Sequence, residues 1–84
     1  MNWPSLSIII PSFNQGAYIE RTILSILKQN YEGELEIIVS DGGSKDKTVE
    51  ILKKYPQIIW WSKPDRGYVD AVTKAIAVAK GEIL

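Results

Sequence analysis

Residues 39–48, VSDGGSKDKT, follow the apolar run LEIIV of residues 35–39 and decide how the chain is read. A strand rich in β-branched residues runs into Asp41, then Gly42 and Gly43, then Ser44. A strand needs no such sequence in order to end. A carboxylate at the exit, followed by two positions without side chains, marks a place where something approaches the backbone closely. The ordinary alternative is a turn with a helix cap, since Asp, Gly and Ser serve both purposes.

Working outward, the same grammar recurs on both sides. Leu6–Ile10 (LSIII) is a short apolar run stopped by Pro11, the pattern of a strand buried on both faces. Ile19, Ile23, Ile26 and Leu27 then fall on one helical face, with Glu20, Arg21 and Lys28 elsewhere, and Asn30–Gly33 (NYEG) ends the helix. Leu35–Ser40 is the second strand. Ser44 reads as the N-cap of a helix over Asp46–Lys54, with Val49 and Leu52 facing inward and Pro56 breaking it. Ile58–Ser62 (IIWWS) is the third strand, closed by Lys63, Pro64 and Asp65. Trp60 and Trp61 alternate across it, one for the core and one for a helix or an interface. A third helix starts near Gly67, with Val69, Val72, Ile76 and Ala79 as its inward face, and Gly81 ends it before a fourth apolar run, Glu82–Leu84.

This alternation predicts an α/β fold: a Rossmann-like, three-layer βαβαβα parallel sheet that ends at the start of a fourth strand. Crossovers in such a sheet are right-handed, and ligands bind beyond the carboxyl ends of the strands. The three exits, PSFNQG, SDGGS and KPDRG, are therefore expected along one rim.

Composition limits what that rim can do. The 84 residues carry ten basic and ten acidic side chains, so no net charge argues for nucleic acid or an anionic membrane as partner. There is no cysteine and no histidine, which removes thiolate metal sites and the commonest general base. The start, MNWPSLS, lacks the layout of a signal peptide, and no apolar run approaches the ~18 residues of a membrane span, so a cytoplasmic location is expected. A chain of this size forms one small domain, burying about 60–65% of its unfolded surface. The G-x-G-x-x-G and P-loop fingerprints are absent, and the first exit lacks the acidic pair that a phosphoryl-receiver domain would want.

The residues at the rim suit a nucleoside diphosphate. Asp41 can accept from the N–H edge of a base or from ribose hydroxyls, and Gly42 and Gly43 admit a flat ring. Ser12 and Asn14 offer donors and acceptors, with helix capping as their plainer role. Lys63 and Arg66 can neutralise phosphates, or can simply be solvated loop charges. Asp65 and Asp70 either reach the pocket or favour the positive end of the third helix.

Three blocks resemble the family 2 glycosyltransferases with a GT-A fold: SIIIPSFNQGAYIERTILSILKQNY, EIIVSDGGSKDKTVEIL and KPDRGYVDAVTKAIAVAKGEIL, in that order over essentially the whole chain. The resemblance implies transfer of a sugar, with inversion, from a nucleotide-sugar (a UDP-sugar by family habit) to an acceptor hydroxyl. It also implies a divalent metal, Mg or Mn, and a carboxylate base in the full-length enzyme. On this basis Pro11, Ser12, Phe13, Asn14, Asp41, Gly42 and Arg66 are expected at the nucleotide, with Lys63, Asp65 and Asp70 as further candidates. The sequence departs from the family pattern at Gly42, where a second aspartate is common, and at Thr73 and Ala75, where Asn and Gly are frequent. It reaches Leu84 before any Asp-x-Asp motif, so no catalytic residue or metal ligand is expected within it. The implied picture is one truncated donor-binding domain, inactive alone, with an apolar face open to homodimerisation or strand exchange. A small non-catalytic α/β binding or regulatory module is the alternative, and Asp41 alone leaves uracil, guanine and thymine all open.

Overall fold

A computed structural model describes residues 4–29 and 31–83, apart from the side chain of Glu82. Asn30, the first residue of the expected NYEG helix stop, Leu84 of the fourth apolar run, and the opening Met1, Asn2 and Trp3 lie outside the described residues. The elements run β1 (Leu6–Ser12), α1 (Ile19–Leu27), β2 (Leu35–Asp41), α2 (Thr48–Leu52), β3 (Ile59–Ser62), α3 (Tyr68–Val78) and β4 (Glu82–Ile83). All pairings are parallel, in the spatial order β3-β2-β1-β4. The expected α/β sheet, with a fourth strand just begun, is the observed one.

Side chains alternate across the strands, so each strand serves two layers. One face of the sheet carries the main apolar core, in which Ile37 and Val39 of β2 meet Ile19 and Ile23 of α1, Ile51 and Leu52 of α2, and Ile58. Ile10, Ile26, Tyr55 and Trp60 pack around it, which gives Trp60 the core role of the tryptophan pair, while Trp61 is half-buried on the opposite face. Helix α3 lies against β1 and β2. The lateral order of strand addition therefore reverses at β1, where β4 joins in parallel on the side away from β2.

Four local expectations need correction. Helix α2 is shorter than Asp46–Lys54: it begins at Thr48 behind Lys47, and no side chain caps it. The Ser44 hydroxyl is committed elsewhere, to Asp41, and Asp46 satisfies the Thr48 N–H at 2.9 Å. The chain after Leu52 tightens into i to i+3 turns, in which Lys54 and Tyr55 donate to Ile51 and Leu52. Ile58 precedes β3 as a buried core residue, and Ile59 opens the strand facing outward. On α1, Leu27 is exposed, so Ile19, Ile23 and Ile26 form the inward face without it.

The largest correction concerns α3. Val69 is 76% exposed and Ile76 45% exposed, whereas Ala71 and Ala75 are buried, with Val72 and Ala79 half-buried. Both Ala71–Ala75 and Val69–Ile76 fit a helical stripe. The alanine face wins because a helix presenting methyl groups can approach the strands closely. Tyr68, Val69, Ile76 and Val78 of α3 and Ile83 of β4 are left exposed. Ala71→Leu or Ala75→Leu should therefore overpack this layer and destabilise the fold by about 1–3 kcal/mol, whereas Ile76→Ala should change stability by less than about 0.5 kcal/mol. Equilibrium denaturant unfolding of the three variants measures both.

Candidate functional site

The parallel register sets Ser12, Asp41 and Ser62 side by side at the ends of β1, β2 and β3. The three exits thus share one rim, as the alternation of elements predicts. The ladder continues one step past the rung, with Gly42 N–H donating to Ser12 C=O at 2.8 Å and Lys63 N–H to Asp41 C=O at 2.9 Å.

Asp41 is fully buried at the centre of the rung. Its Oδ1 accepts from the hydroxyls of Ser12 at 2.7 Å and Ser44 at 2.6 Å. Its Oδ2 accepts from the Ser62 hydroxyl at 2.7 Å, the Ser44 N–H at 2.7 Å and the Gly43 N–H at 3.2 Å. An ionised carboxylate can be buried only when its lone pairs are met in this way. Burial pushes the Asp41 carboxyl up, but the Ser44 hydroxyl and N–H, then the Ser12 and Ser62 hydroxyls, outweigh it and hold the group below the usual carboxylate value. The expected role of Asp41 at a base or ribose therefore meets a carboxylate with no exposed surface, engaged by three segments of its own chain.

Asn14 is also engaged internally. It takes a left-handed backbone conformation (φ 51°), its N–H donates to Ser44 Oγ at 2.7 Å, and its Oδ1 accepts from the Lys45 N–H at 3.0 Å. Neither Ser12 nor Asn14 caps α1, whose first residue follows Tyr18 without a side-chain cap. Asp46 repeats the stitch one step on: its Oδ2 accepts the Gly16 N–H at 2.9 Å, and its Oδ1 the N–H and hydroxyl of Thr48. The Thr48 and Gly16 donors hold its carboxyl below the ordinary value.

A cavity of about 360 Å³ opens above this rung, lined by Pro11, Ser12, Phe13, Gln15, Gly42, Asp65, Gly67, Tyr68 and Ala71. Its volume lies at the lower end of the range of about 300–1,000 Å³ common for small-molecule sites. Two aromatic rings stand open at it, Phe13 at 57% and Tyr68 at 72% exposure. Of the sequence candidates, Pro11, Ser12, Phe13, Gly42 and Asp65 line the cavity, whereas Asn14, Asp41, Lys63, Arg66 and Asp70 do not. Lys63 and Arg66 are exposed beside the third exit. Asp70 braces the start of α3: it accepts the Arg66 N–H at 2.9 Å and pairs with Lys74 at 3.3 Å, in keeping with the helix-end alternative for this residue.

The two glycines have different reasons. Gly43 has a φ of +88°, which favours glycine, and a side chain there would press on the Pro64 backbone. Gly42 has ordinary geometry, but a Cβ on it would stand 2.9 Å from Asp65 Oδ2 and 3.0 Å from Oδ1. The third exit folds down onto the second, and the missing side chains make room for it. Gln15, Gly67, Tyr68 and Ala71 also line the cavity and were not among the site candidates read from the sequence. The available signal was the Gly-Tyr pair directly after Asp65 and Arg66, at the start of a helix whose inward face begins with Ala71.

Comparison with known proteins fixes the family. The family model described as glycosyl transferase family 2 matches residues 7–84. The chain belongs to glycosyltransferase family 2. It is 42% identical over 83 residues to an uncharacterized glycosyltransferase of Mycobacterium tuberculosis, an alignment that covers 96% of this chain and 32% of that protein. It is 37% identical over 82 residues to the chondroitin synthase of Pasteurella multocida, covering 93% of this chain and 8% of the synthase. Among solved structures it resembles the mannosyltransferase PcManGT of Pyrobaculum calidifontis, determined in complex with GDP-Man and Mn2+, with a TM-score of 0.88 and 26% identity over 95% of this chain and 26% of that one. The chain thus spans a third or less of each of these relatives. Among the described residues no group of three or more Asp, Glu, His or Cys side chains is arranged to hold a metal, and no helix is long and apolar enough to cross a membrane.

Because the Asp41 carboxyl is depressed in the folded chain, its network contributes fully above about pH 4 and is lost as the pH falls through the depressed value. Asp41→Ala, which strands the Ser44 and Gly43 N–H groups and three hydroxyls, should cost about 3 kcal/mol of stability at neutral pH. Chemical unfolding at neutral pH and below pH 4 should show the gap between this variant and the parent narrowing in acid. A constant gap contradicts the assignment.

Proposed function

We propose that this chain is the donor-binding part of an inverting glycosyltransferase, with the cavity above the Ser12–Asp41–Ser62 rung holding the nucleoside of a nucleotide-sugar. The observation that carries the reading is a cavity built from all three strand exits whose lining includes two exposed aromatic rings, Phe13 and Tyr68. A planar base can stack there while polar groups on the wall meet its edge. Lys63 and Arg66, exposed beside the third exit, are the cations available to a diphosphate. Asp41 lies beneath the cavity and, through its hydrogen bond from the lining residue Ser12, holds the floor in position. The GDP-Man complex of the archaeal neighbour supports a nucleotide-sugar as the class of ligand. A uridine diphosphate sugar is the donor that family habit suggests, and guanosine diphosphate is the second base to test.

In the transfer itself, an acceptor hydroxyl oxygen bonds to the anomeric carbon as the bond from that carbon to the diphosphate breaks. The electron pair leaves with the nucleoside diphosphate, and the hydroxyl proton passes to a base. Among the described residues no group of three or more Asp, Glu, His or Cys side chains could hold a metal, and in this reading the part played by the chain is donor binding.

Titration of the chain with uridine and guanosine diphosphates, followed by tryptophan fluorescence, tests the reading. Phe13→Ala should weaken binding about tenfold or more, the usual effect of removing a stacking partner. Unchanged affinity in Phe13→Ala argues against the stacking site. Sugar transfer catalysed by the pure chain would contradict its role as a binding part alone.

A further inference from the structure

The cavity has a carboxylate on its wall, and that carboxylate is not Asp41. Asp41 lies beneath the surface with both oxygens engaged by Ser12, Ser44, Ser62 and Gly43. Asp65 comes from the third exit and occupies the space in which residue 42 would carry its side chain: both of its oxygens lie within 3.0 Å of a Cβ built on Gly42. Gly42 and Asp65 both line the cavity. Asp65 is partly buried and fixed in place, with Oδ1 accepting the Gly67 N–H at 2.9 Å. Its Oδ2 has no hydrogen-bond partner among the described residues.

Resting on the donor-binding reading above, we propose that Asp65 is the residue that selects the base, through its free Oδ2 and the remaining lone pair of Oδ1. An ionised carboxylate only accepts hydrogen bonds. It therefore favours a base whose edge presents ring N–H groups: guanine with N1–H and N2–H side by side, or uracil with N3–H. Adenine and cytosine place a ring nitrogen lone pair next to their amino group, which sets acceptor against acceptor. With Phe13 and Tyr68 available to the ring's faces, the edge is what remains for Asp65 to read. The glycine at 42 and the aspartate at 65 are two parts of one device. The second exit gives up a side chain, and the third supplies a carboxylate to the same space.

Two variants test this with the diphosphates of guanosine, uridine, adenosine and cytidine at up to millimolar concentration, with circular dichroism as the check on folding. The parent should bind the guanosine and uridine compounds more tightly than the other two. Asp65→Asn keeps the shape and the contact to Gly67 but offers a donor beside an acceptor, the complement of adenine and cytosine. It should lose about tenfold in affinity for guanosine and uridine diphosphates and shift its preference to the other pair. Asp65→Ala combined with Gly42→Asp returns a carboxylate to the same space from the second exit, and should recover the parent's preference over Asp65→Ala alone. A parent with no base preference overturns the proposal. So does an Asp65→Asn variant that keeps the parent's order of bases, and in that case the donor-binding reading stands. If the parent binds none of the four nucleotides, the donor-binding reading itself fails.

Discussion

Five hydrogen bonds on one buried carboxylate organise the working end of this domain. A parallel sheet brings its strand ends to one rim, but it does not tie the loops that leave them. Asp41 does so, because it sits in register between Ser12 and Ser62 and because Ser44 folds back onto it. The charge cannot remain buried unless these donors stay in place, and the donors come from three separate exits. The ion therefore constrains the loops as much as the loops stabilise the ion. Asn14 joins the same chain of bonds by donating to Ser44, so the first exit is held twice.

The cavity follows from that arrangement. With Asp41 engaged below the surface, the wall includes the rings of Phe13 and Tyr68, the bare backbone of Gly42 and the carboxylate of Asp65. The alanine face of α3 brings the start of that helix close to the sheet, which makes Ala71 part of the lining and leaves Tyr68 open at the mouth. Gly43 lets the second exit turn under Pro64, and Gly42 leaves its side-chain space to Asp65. The cavity is thus built from loop tips, and the rigid sheet beneath sets their distances.

Much of this was legible in the sequence. The β-branched runs, their breakers and the helical stripes gave the strands, the order of elements and the shared rim, because period and punctuation are local properties. The residues quoted for the family resemblance led to the family that the comparisons establish. What escaped was settled by contacts distant in sequence. Val69 and Ile76 fit an inward stripe as well as Ala71 and Ala75 do, and only the closeness of α3 to the sheet decides between them. Ser44 has the chemistry of a helix cap and spends it on Asp41. Asp41 looks like a ligand-facing carboxylate until Ser12 and Ser62 arrive beside it from the neighbouring strands. The space above Gly42 is filled from residue 65, a pairing that no local pattern announces.

The claim on which this account depends is that Asp41 is an ionised internal tie of the three exits. The most direct test is a carbon-detected NMR titration of the Asp41 side-chain carboxyl in the folded chain, with the Gly43 and Ser44 amide protons followed in parallel. The account predicts a midpoint below the ordinary aspartate range, with both amide signals shifting together as the carboxyl protonates. A midpoint at or above the ordinary value, with the two amides indifferent to it, would contradict the account.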